Sequence, residues 1–385
     1  MRQTIDAAAF QQMVIHAAAA IRAEKQRIND LNVFPVPDGD TGTNMSLSIG
    51  AAAAEMKKQS FDTVGKAAQA TASALLRGAR GNSGVILSLL FRGFAKAIKE
   101  RETMDGRDLA IALDFGVAAA YKAVMKPAEG TILTVSRLAA ARAAGAARED
   151  NCFEAVLEAA IQEGQLALAD TVNQNPVLKK AGVVDAGGAG FLLILQGMLN
   201  EVRGEEMPAD EEPAQAEKAD FGAIPAEDIT FAFDTVFIVR KPSPNVNLEP
   251  FRTYLNGIGD SLVIGEDDEA FKVHVHTNIP GAALTEAQKY GTLELAKIEN
   301  MRTQAEDLAA GRHVQSTDDL DAVEQELERG AAMPEEPVKA APEKKYGYVA
   351  VCAGAGLEAV FKDLGVDGVI SGGQTMNPST EDILR

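Results

Sequence analysis

The spacing of apolar residues changes once along this chain, and that change constrains the possible folds more than any other feature. Up to about residue 204, apolar residues recur every three to four positions, which is the spacing of an amphipathic helix. Between residues 229 and 299 they alternate with polar residues, which is the spacing of strands that bury one face. The chain is therefore expected to contain an all-α part followed by an α+β part.

The first part is predicted to be an all-α helical barrel or bundle of about eight helices. One long amphipathic helix opens it, with apolar residues from Phe10 to Ile21 on one face. Glycine or proline separates the helices that follow, and no convincing strand interrupts them. These helices are predicted at residues 45–57, 62–76, 83–100, 107–124, 131–143, 152–171 and 187–202.

The second part is predicted to be an α+β domain with the element order βαββαβ. This order is the ferredoxin-like pattern, in which the first and third strands are central neighbours. The predicted elements are a strand at 229–240, a helix at 248–257, a hairpin of 261–264 with 271–277, a helix at 281–290 and a strand at 293–299.

Two acidic tracts that contain proline divide the chain, because such tracts bury little apolar surface. The predicted segments are a helical domain 1–204, a linker 205–227, a middle domain 228–312, a linker 313–344 and a last segment 345–385. The last segment predicts one partial βαβ unit, with strands at 346–352 and 366–370. A single unit of this kind leaves both faces of its sheet uncovered, so we expect a chain that is truncated within an α/β domain.

A loop that carries two carboxylates and two prolines is the first candidate site. The prolines in Asn32-Val-Phe-Pro-Val-Pro-Asp38-Gly-Asp40 restrict the backbone, and Asp38 and Asp40 can share a hard cation such as Mg²⁺. Small polar residues then lead into an apolar helix, whose free backbone N–H groups suit phosphate. A polar turn without a ligand is the alternative interpretation of the same residues.

Two glycine-rich segments, 77–84 and 182–190, also lead into apolar helices. Glycine allows the backbone to approach a ligand closely, and the helix start offers N–H groups to phosphate. The first segment has no Gly-Lys-Ser/Thr ending, and the second lacks the third glycine of the dinucleotide fingerprint. For each segment alone, a tight turn between packed helices is the alternative.

Taken together, the segments 32–45, 78–88, 129–133 and 181–188 resemble, in order and spacing, the nucleotide-binding domain of the dihydroxyacetone kinase L-subunit. The chain is more similar still to the catalytic subunit of bacterial fatty acid kinase, through the middle domain and into the last segment. The resemblance implies a helical barrel that binds ATP and Mg²⁺ at one end. It also implies phosphorylation of a fatty acid held by a separate fatty-acid-binding partner protein, which feeds exogenous fatty acid into phospholipid synthesis.

The resemblance assigns roles to residues of the three loops. Asn32, Asp38 and Asp40 would hold Mg²⁺, and the two aspartates with Arg80 would serve catalysis by positioning and charge neutralisation. Arg80 can equally anchor its loop through a surface ion pair. The residues expected to bind nucleotide are Thr41, Thr43, Asn44, Ser46, Gly81, Asn82, Ser83, Gly84, Thr131, Asp185 and Gly187.

His274 and His276 stand two residues apart on a predicted strand, so both side chains project from one face. That spacing suits a transition metal, and Asp234 on the neighbouring strand can add an oxygen ligand. In the resembling family a zinc site is completed by a cysteine, whereas Asp234 stands at that position here, which puts zinc in doubt. A pair of surface histidines bonded to polar neighbours is the alternative.

Composition bounds the remaining possibilities. The formal charge of −19 argues against sequence-independent binding of nucleic acid. Two cysteines and the lack of a long apolar run favour a cytoplasmic protein without a transmembrane segment. Two other functions stay open, namely a small-molecule kinase of the dihydroxyacetone type and a nucleotide-binding scaffold without activity. Exposed sheet surface in the middle domain makes a homodimer one alternative for the oligomeric state.

Overall fold

The computed structural model describes residues 1–208 and 229–303, with shorter stretches at 349–352, 360–364, 366 and 368–371. The chain divides into two compact units, Met1–Asp319 and Leu320–Arg385. Most of the first predicted linker, all of the second, and the start of the strand predicted at 346–352 lie outside the described residues.

Residues 1–208 form ten helices, eight of which have 15 or more residues. Two helices of six residues each were not predicted, since they are shorter than two turns and carry no clear apolar period. The helices are α1 (Ala7–Ala23), α2 (Lys25–Asp30), α3 (Thr41–Lys58), α4 (Val64–Gly78), α5 (Gly81–Ala97), α6 (Gly106–Ala123), α7 (Ile132–Glu149), α8 (Phe153–Gln174), α9 (Pro176–Ala181) and α10 (Ala186–Arg203).

The long helices enclose one apolar core that is rich in alanine. Each long helix from α3 to α8 packs against the next, while α1 packs against both α3 and α10, and α10 against α8. The small alanine side chains allow these helices to lie close together. Among the described helices, none combines the length and apolarity needed to cross a lipid bilayer.

The middle part forms a four-stranded antiparallel sheet with two helices. Its strands lie in the order β2-β3-β1-β4, so the first and third are neighbours, as the element order predicts. Asp234 on β1 lies opposite His276 on β3, and Val236 lies opposite His274. The elements are β1 (Phe233–Arg240), α11 (Glu249–Ile258), β2 (Gly259–Glu266), β3 (Ala270–Thr277), α12 (Pro280–Ala287) and β4 (Thr292–Asn300).

The two faces of this sheet contact different partners. One face carries Phe237, Phe271 and Val273 into a second core with α11 and α12. The other face lies against the helical domain, where Val263 is buried in the helical core and forms a β-bridge with Val124. The sheet therefore covers one end of the helical domain.

The second unit contains a pair of parallel strands, β5 (Val349–Cys352) and β6 (Gly368–Ser371). Residues 360–363 between them are helical. A parallel pair with an intervening helix agrees with the predicted βαβ order in this segment.

Candidate functional site

The sheet and the helical domain enclose a cavity of about 340 Å³. The starts of α3, α5 and α10 open into it, and the sheet forms the opposite wall. Most of the predicted site residues lie here, although they come from six separate parts of the sequence. They are Asn32, Asp38, Asp40, Thr41, Asn44, Gly81, Asn82, Ser83, Thr131, Asp185, Gly187, Asp234, His274 and His276.

The carboxylate loop is held in place by Asn32, which is buried. Its Nδ2 donates to the backbone oxygen of Val36 at 3.1 Å and also to Oδ1 of Asp38. The hydroxyl of Thr41 donates to Oδ1 of Asn32. Asn32 therefore orients Asp38 through its amide, a contact that the sequence alone did not predict.

Three carboxyl groups in this cavity are costly to ionise. Burial, together with the adjacent Asp40, raises the pKa of Asp38 well above its ordinary value. Burial also raises the pKa of Asp40, although a hydrogen bond from Asn44 opposes the rise. Burial, Glu299 and Asp40 raise the pKa of Asp234 well above its ordinary value. Asp38 and Asp40, which are neighbours and poorly solvated, are therefore oxygen donors suited to a hard divalent cation.

The N-terminus of α5 supplies a cradle for an anion beside these carboxylates. Gly81 begins the helix at φ +54°, and Asn82 and Ser83 follow it on the cavity wall. The first turn of a helix leaves backbone N–H groups without helical partners, and these groups favour negative charge. The backbone N–H of Arg80 donates to Oγ of Ser48 at 3.0 Å, which fixes the start of α5 against α3.

Asp185 closes another side of the cavity at the start of α10. Its Oδ2 accepts from the backbone N–H of Gly188 at 2.6 Å and so caps the helix. Burial raises the pKa of Asp185 to about 6, against the lowering effect of the Gly188 and Ile132 N–H groups. A capping aspartate with a raised pKa is unusual, because most helix caps are well solvated.

The sheet contributes a second cluster of possible ligands. The Nε2 atoms of His274 and His276 are 3.1 Å apart, and Nδ1 of His274 lies 3.3 Å from Oδ1 of Asp234. Those last two atoms make no hydrogen bond in the part of the chain that the structure describes. Burial lowers the pKa of His274 well below its ordinary value and that of His276 to about 4, so both rings are neutral at pH 7. Neutral imidazoles beside a carboxylate fit a transition metal.

Four of the predicted nucleotide and catalytic residues do not line this cavity: Thr43, Ser46, Arg80 and Gly84. Thr43 lies on another face of α3, where its backbone N–H and its hydroxyl each bond to Asn29 at 3.0 Å. Gly84 packs against Ser48, and an added Cβ would lie 2.3 Å from the Ser48 Oγ. Arg80 lines a smaller adjoining cleft with Asp40 and Lys272. The predicted roles of Thr43, Ser46 and Gly84 in contact with ligand therefore find no support in the geometry.

Two contributors from the sheet were missed. Asp260 lies in the cavity wall with its Oδ1 3.6 Å from Nδ1 of His276. Lys272 precedes the two histidines on the same face of β3, at a spacing of two residues. Lys272 could have been predicted, because strand alternation places it on the same face of β3 as the two histidines. No local sequence pattern distinguishes Asp260.

Comparison with known protein families divides the chain in the same order as the structure. Residues 35–200 match the DAK2 domain. Residues 230–308 match the middle domain of the FakA-like family of fatty acid kinase proteins, and residues 347–385 match the C-terminal domain of the same family.

Two curated relatives and one solved structure illustrate the similarity. Protein YloV of Bacillus subtilis is 41% identical over 392 residues, which span 99% of this chain and 68% of YloV. A Staphylococcus haemolyticus protein is 40% identical over 394 residues, spanning 100% of this chain and 68% of its own length. A dihydroxyacetone kinase from C. freundii, crystallised with AMP-PNP and Mg²⁺, matches 52% of this chain and 35% of its own, at 19% identity and a TM-score of 0.41.

The extent of the YloV match and the succession of the three family domains lead to one assignment. The chain belongs to the FakA-like family of fatty acid kinase proteins, a group of DAK2-domain kinases.

Proposed function

We propose that this protein is an ATP-dependent phosphotransferase that converts a fatty acid, held by a fatty-acid-binding partner protein, to an acyl phosphate. The observation that carries the proposal is the meeting of Asp38 and Asp40 with the N-terminus of α5 in one cavity. Carboxylates for a metal and N–H groups for phosphate are the two elements that phosphoryl transfer requires. Membership of the FakA-like family supports the choice of acceptor.

Asp38 and Asp40 are the residues that would hold Mg²⁺, with Asn32 fixing the direction of the Asp38 carboxylate. A bound Mg²⁺ would neutralise charge on the phosphates of ATP. The N–H groups at Gly81, Asn82 and Ser83 orient the remaining phosphate oxygens. Asp185 and Thr131 also line the cavity, and they would border the nucleoside of ATP. A fatty carboxylate is already a nucleophile, so no general base is needed.

The domain assignment is part of the same proposal. We infer that residues 1–204 form a closed helical barrel and residues 228–312 a ferredoxin-like domain. The contact of α1 with α10 supports the barrel, and the strand order β2-β3-β1-β4 supports the ferredoxin-like arrangement.

The deciding experiment measures ADP release by the purified chain with Mg-ATP and two possible acceptors. We expect turnover with a fatty acid loaded on its binding protein, and acyl phosphate that hydroxylamine traps. Turnover with dihydroxyacetone alone would favour the small-molecule kinase. Nucleotide binding without turnover on any acceptor would favour the scaffold.

Replacing Gly81 with alanine is expected to weaken binding of Mg-AMP-PNP by at least about tenfold. The backbone there has φ +54°, and an added Cβ would lie 2.4 Å from Nδ2 of Asn44, which is buried. Either the turn or Asn44 must move, and both line the cavity. Isothermal titration calorimetry measures the change.

Gly182→Ala is the matched control for this variant. Gly182 has φ +71°, so alanine is strained there as well, but an added Cβ would meet nothing within 4 Å. Equal binding by both variants would show that the contact between Gly81 and Asn44 is irrelevant to nucleotide.

A transition metal at Asp234, His274 and His276 is a separate proposal, for which zinc is one candidate. We expect about one equivalent of metal per chain by mass spectrometry, lost in His274→Ala. His16→Ala is the control, since His16 is also fully buried but pairs with Glu201 away from the cavity. Wild-type protein that is free of metal would contradict the proposal.

A further inference from the structure

We propose that Lys272 of the middle domain is a positioning residue for the nucleotide site, because it holds the turn between α4 and α5 in its phosphate-binding shape. The inference rests on the proposed function, since it assumes that this turn binds phosphate. It goes further because nucleotide affinity would then depend on a side chain of the middle domain, although the phosphate-binding N–H groups all belong to the helical domain.

Lys272 is almost completely buried between the two domains, with 3% of its surface exposed. Its Nζ donates to the backbone oxygen of Arg77 at 3.2 Å and also to the backbone oxygen of Ala79. Both oxygens belong to the C-terminal end of α4, where carbonyl groups have no helical partners and carry the negative end of the helix dipole. Lys272 therefore supplies a hydrogen-bond donor to carbonyl oxygens that lack one at the end of α4.

These two carbonyls lie directly before the phosphate cradle. Ala79 is the C-cap of α4, Arg80 is the N-cap of α5, and Gly81 starts α5. Ser48 on α3 and Lys272 on β3 both anchor this turn from outside. Without the lysine, two carbonyl groups would lose their donor in a buried place, so the turn would shift to find water or another partner.

The contact does not depend on the charge of the lysine. Burial, with Arg80 and Lys297 nearby, lowers the pKa of Lys272 to about 7. An ammonium and an amine can both donate to two carbonyl oxygens. What the site requires is a long side chain with donors at its tip.

Lys241, which directly follows β1, offers a control in the same domain. Only 2% of its side chain is exposed, and its Nζ bonds to Oε2 of Glu266 at 3.1 Å and to the backbone oxygen of Asp267 at 2.9 Å. Both lysines are buried and each bonds to two oxygens, but the partners of Lys241, one of them the Glu266 carboxylate, lie in the middle domain.

The test compares Lys272→Met and Lys241→Met in thermal melts and in titrations with Mg-AMP-PNP and with adenosine. We expect Lys272→Met to bind Mg-AMP-PNP about tenfold more weakly while its adenosine affinity stays within about twofold, because only the phosphate side is disturbed. Lys241→Met is expected to lower the melting temperature and to leave both affinities unchanged. Lys272→Arg is expected to restore part of the loss.

Hydrogen exchange provides a second measurement if Lys272→Met is poorly folded. In Lys272→Arg, the hydrogen-bonded amides of Arg80 and Gly84 should exchange faster than in wild type while those of α1 stay unchanged. Wild-type affinity and exchange in both Lys272 variants would overturn the inference, and so would an equal loss of adenosine and Mg-AMP-PNP binding. Failure of the wild-type protein to bind Mg-AMP-PNP would instead reject the proposed function.

Discussion

Replacing Asp38 with asparagine is expected to raise the melting temperature of the metal-free protein and to remove most of its stabilisation by Mg-AMP-PNP. Without a cation, burial and the neighbouring Asp40 make the negative charge of Asp38 unfavourable, as its raised pKa indicates. Asparagine removes that charge and keeps an oxygen that can accept from Asn32. The same change removes one of the two ligands proposed for Mg²⁺.

The expected loss is large enough to measure by thermal melts alone. A nucleotide present at a hundred times its Kd stabilises a folded protein by about 2.7 kcal/mol, and a hundredfold loss of affinity removes most of that. Melts of wild type and Asp38→Asn are compared in EDTA, in Mg²⁺ and in Mg-AMP-PNP. Asp38→Asn should have the higher melting temperature in EDTA, and wild type should have the higher one in Mg-AMP-PNP.

Asp30→Asn is the control for removal of a buried carboxylate. Asp30 is buried on α2, where Oδ1 accepts from Gln26 at 2.9 Å, and it does not line the cavity. Its variant should keep the full response to Mg-AMP-PNP. An equal response in Asp38→Asn would remove Asp38 from the metal site.

Replacing Asp185 with asparagine is expected to stabilise the protein by about 3 kcal/mol above pH 6, but not below pH 4. Burial raises the pKa of Asp185 from 3.8 to about 6 in the folded state. Between these two values the folded state binds more protons than the unfolded state, so the free energy of unfolding falls as the pH rises. Asparagine does not titrate, and its side-chain oxygen can still cap α10.

The measurement is the difference in unfolding free energy between Asp185→Asn and wild type at pH 4, 5, 6 and 7.5. Asp105→Asn provides a control of opposite sign. Asp105 also caps a helix. Although burial opposes them, hydrogen bonds from Asp108, Asn151 and Arg107 lower its pKa, so its asparagine variant should be less stable at neutral pH. A gain for Asp185→Asn that does not change with pH would contradict the burial argument.

A stabilising change at Asp185 would also indicate why the carboxylate is there. A buried charge that lowers stability at neutral pH is expected where a ligand needs it. Asp185 lines the cavity beside Gly187 and Thr131. We expect Asp185→Asn to gain stability and to lose affinity for nucleotide.

The elements of this fold were predictable where the apolar period is long. The helix predicted at 62–76 is Val64–Gly78 in the structure, and the one predicted at 107–124 is Gly106–Ala123. The helix predicted at 45–57 begins earlier, at Thr41, since its first turn is polar and faces the cavity. Apolar spacing does not detect a helix start whose first turn consists of polar residues that face a binding site.

The cavity was only half predictable. Asp38, Asp40 and the Gly81 turn were found because each lies in a short distinctive string. The meeting of that turn with Lys272 joins residues almost two hundred positions apart, and no local pattern specifies how two domains dock. For the same reason the histidine pair was predicted as a site of its own, whereas it lies in the wall of the same cavity.

The burial of Val263 in the helical core has a consequence for how such proteins evolve. Gly265, two residues further along β2, packs closely on Leu76 and Leu89 of the helical domain. A helical domain that had lost its sheet would present these apolar side chains to water and would tend to aggregate. Lineages that use the helical domain without this sheet should therefore carry polar residues at the positions of Leu76 and Leu89, or cover them with another protein chain.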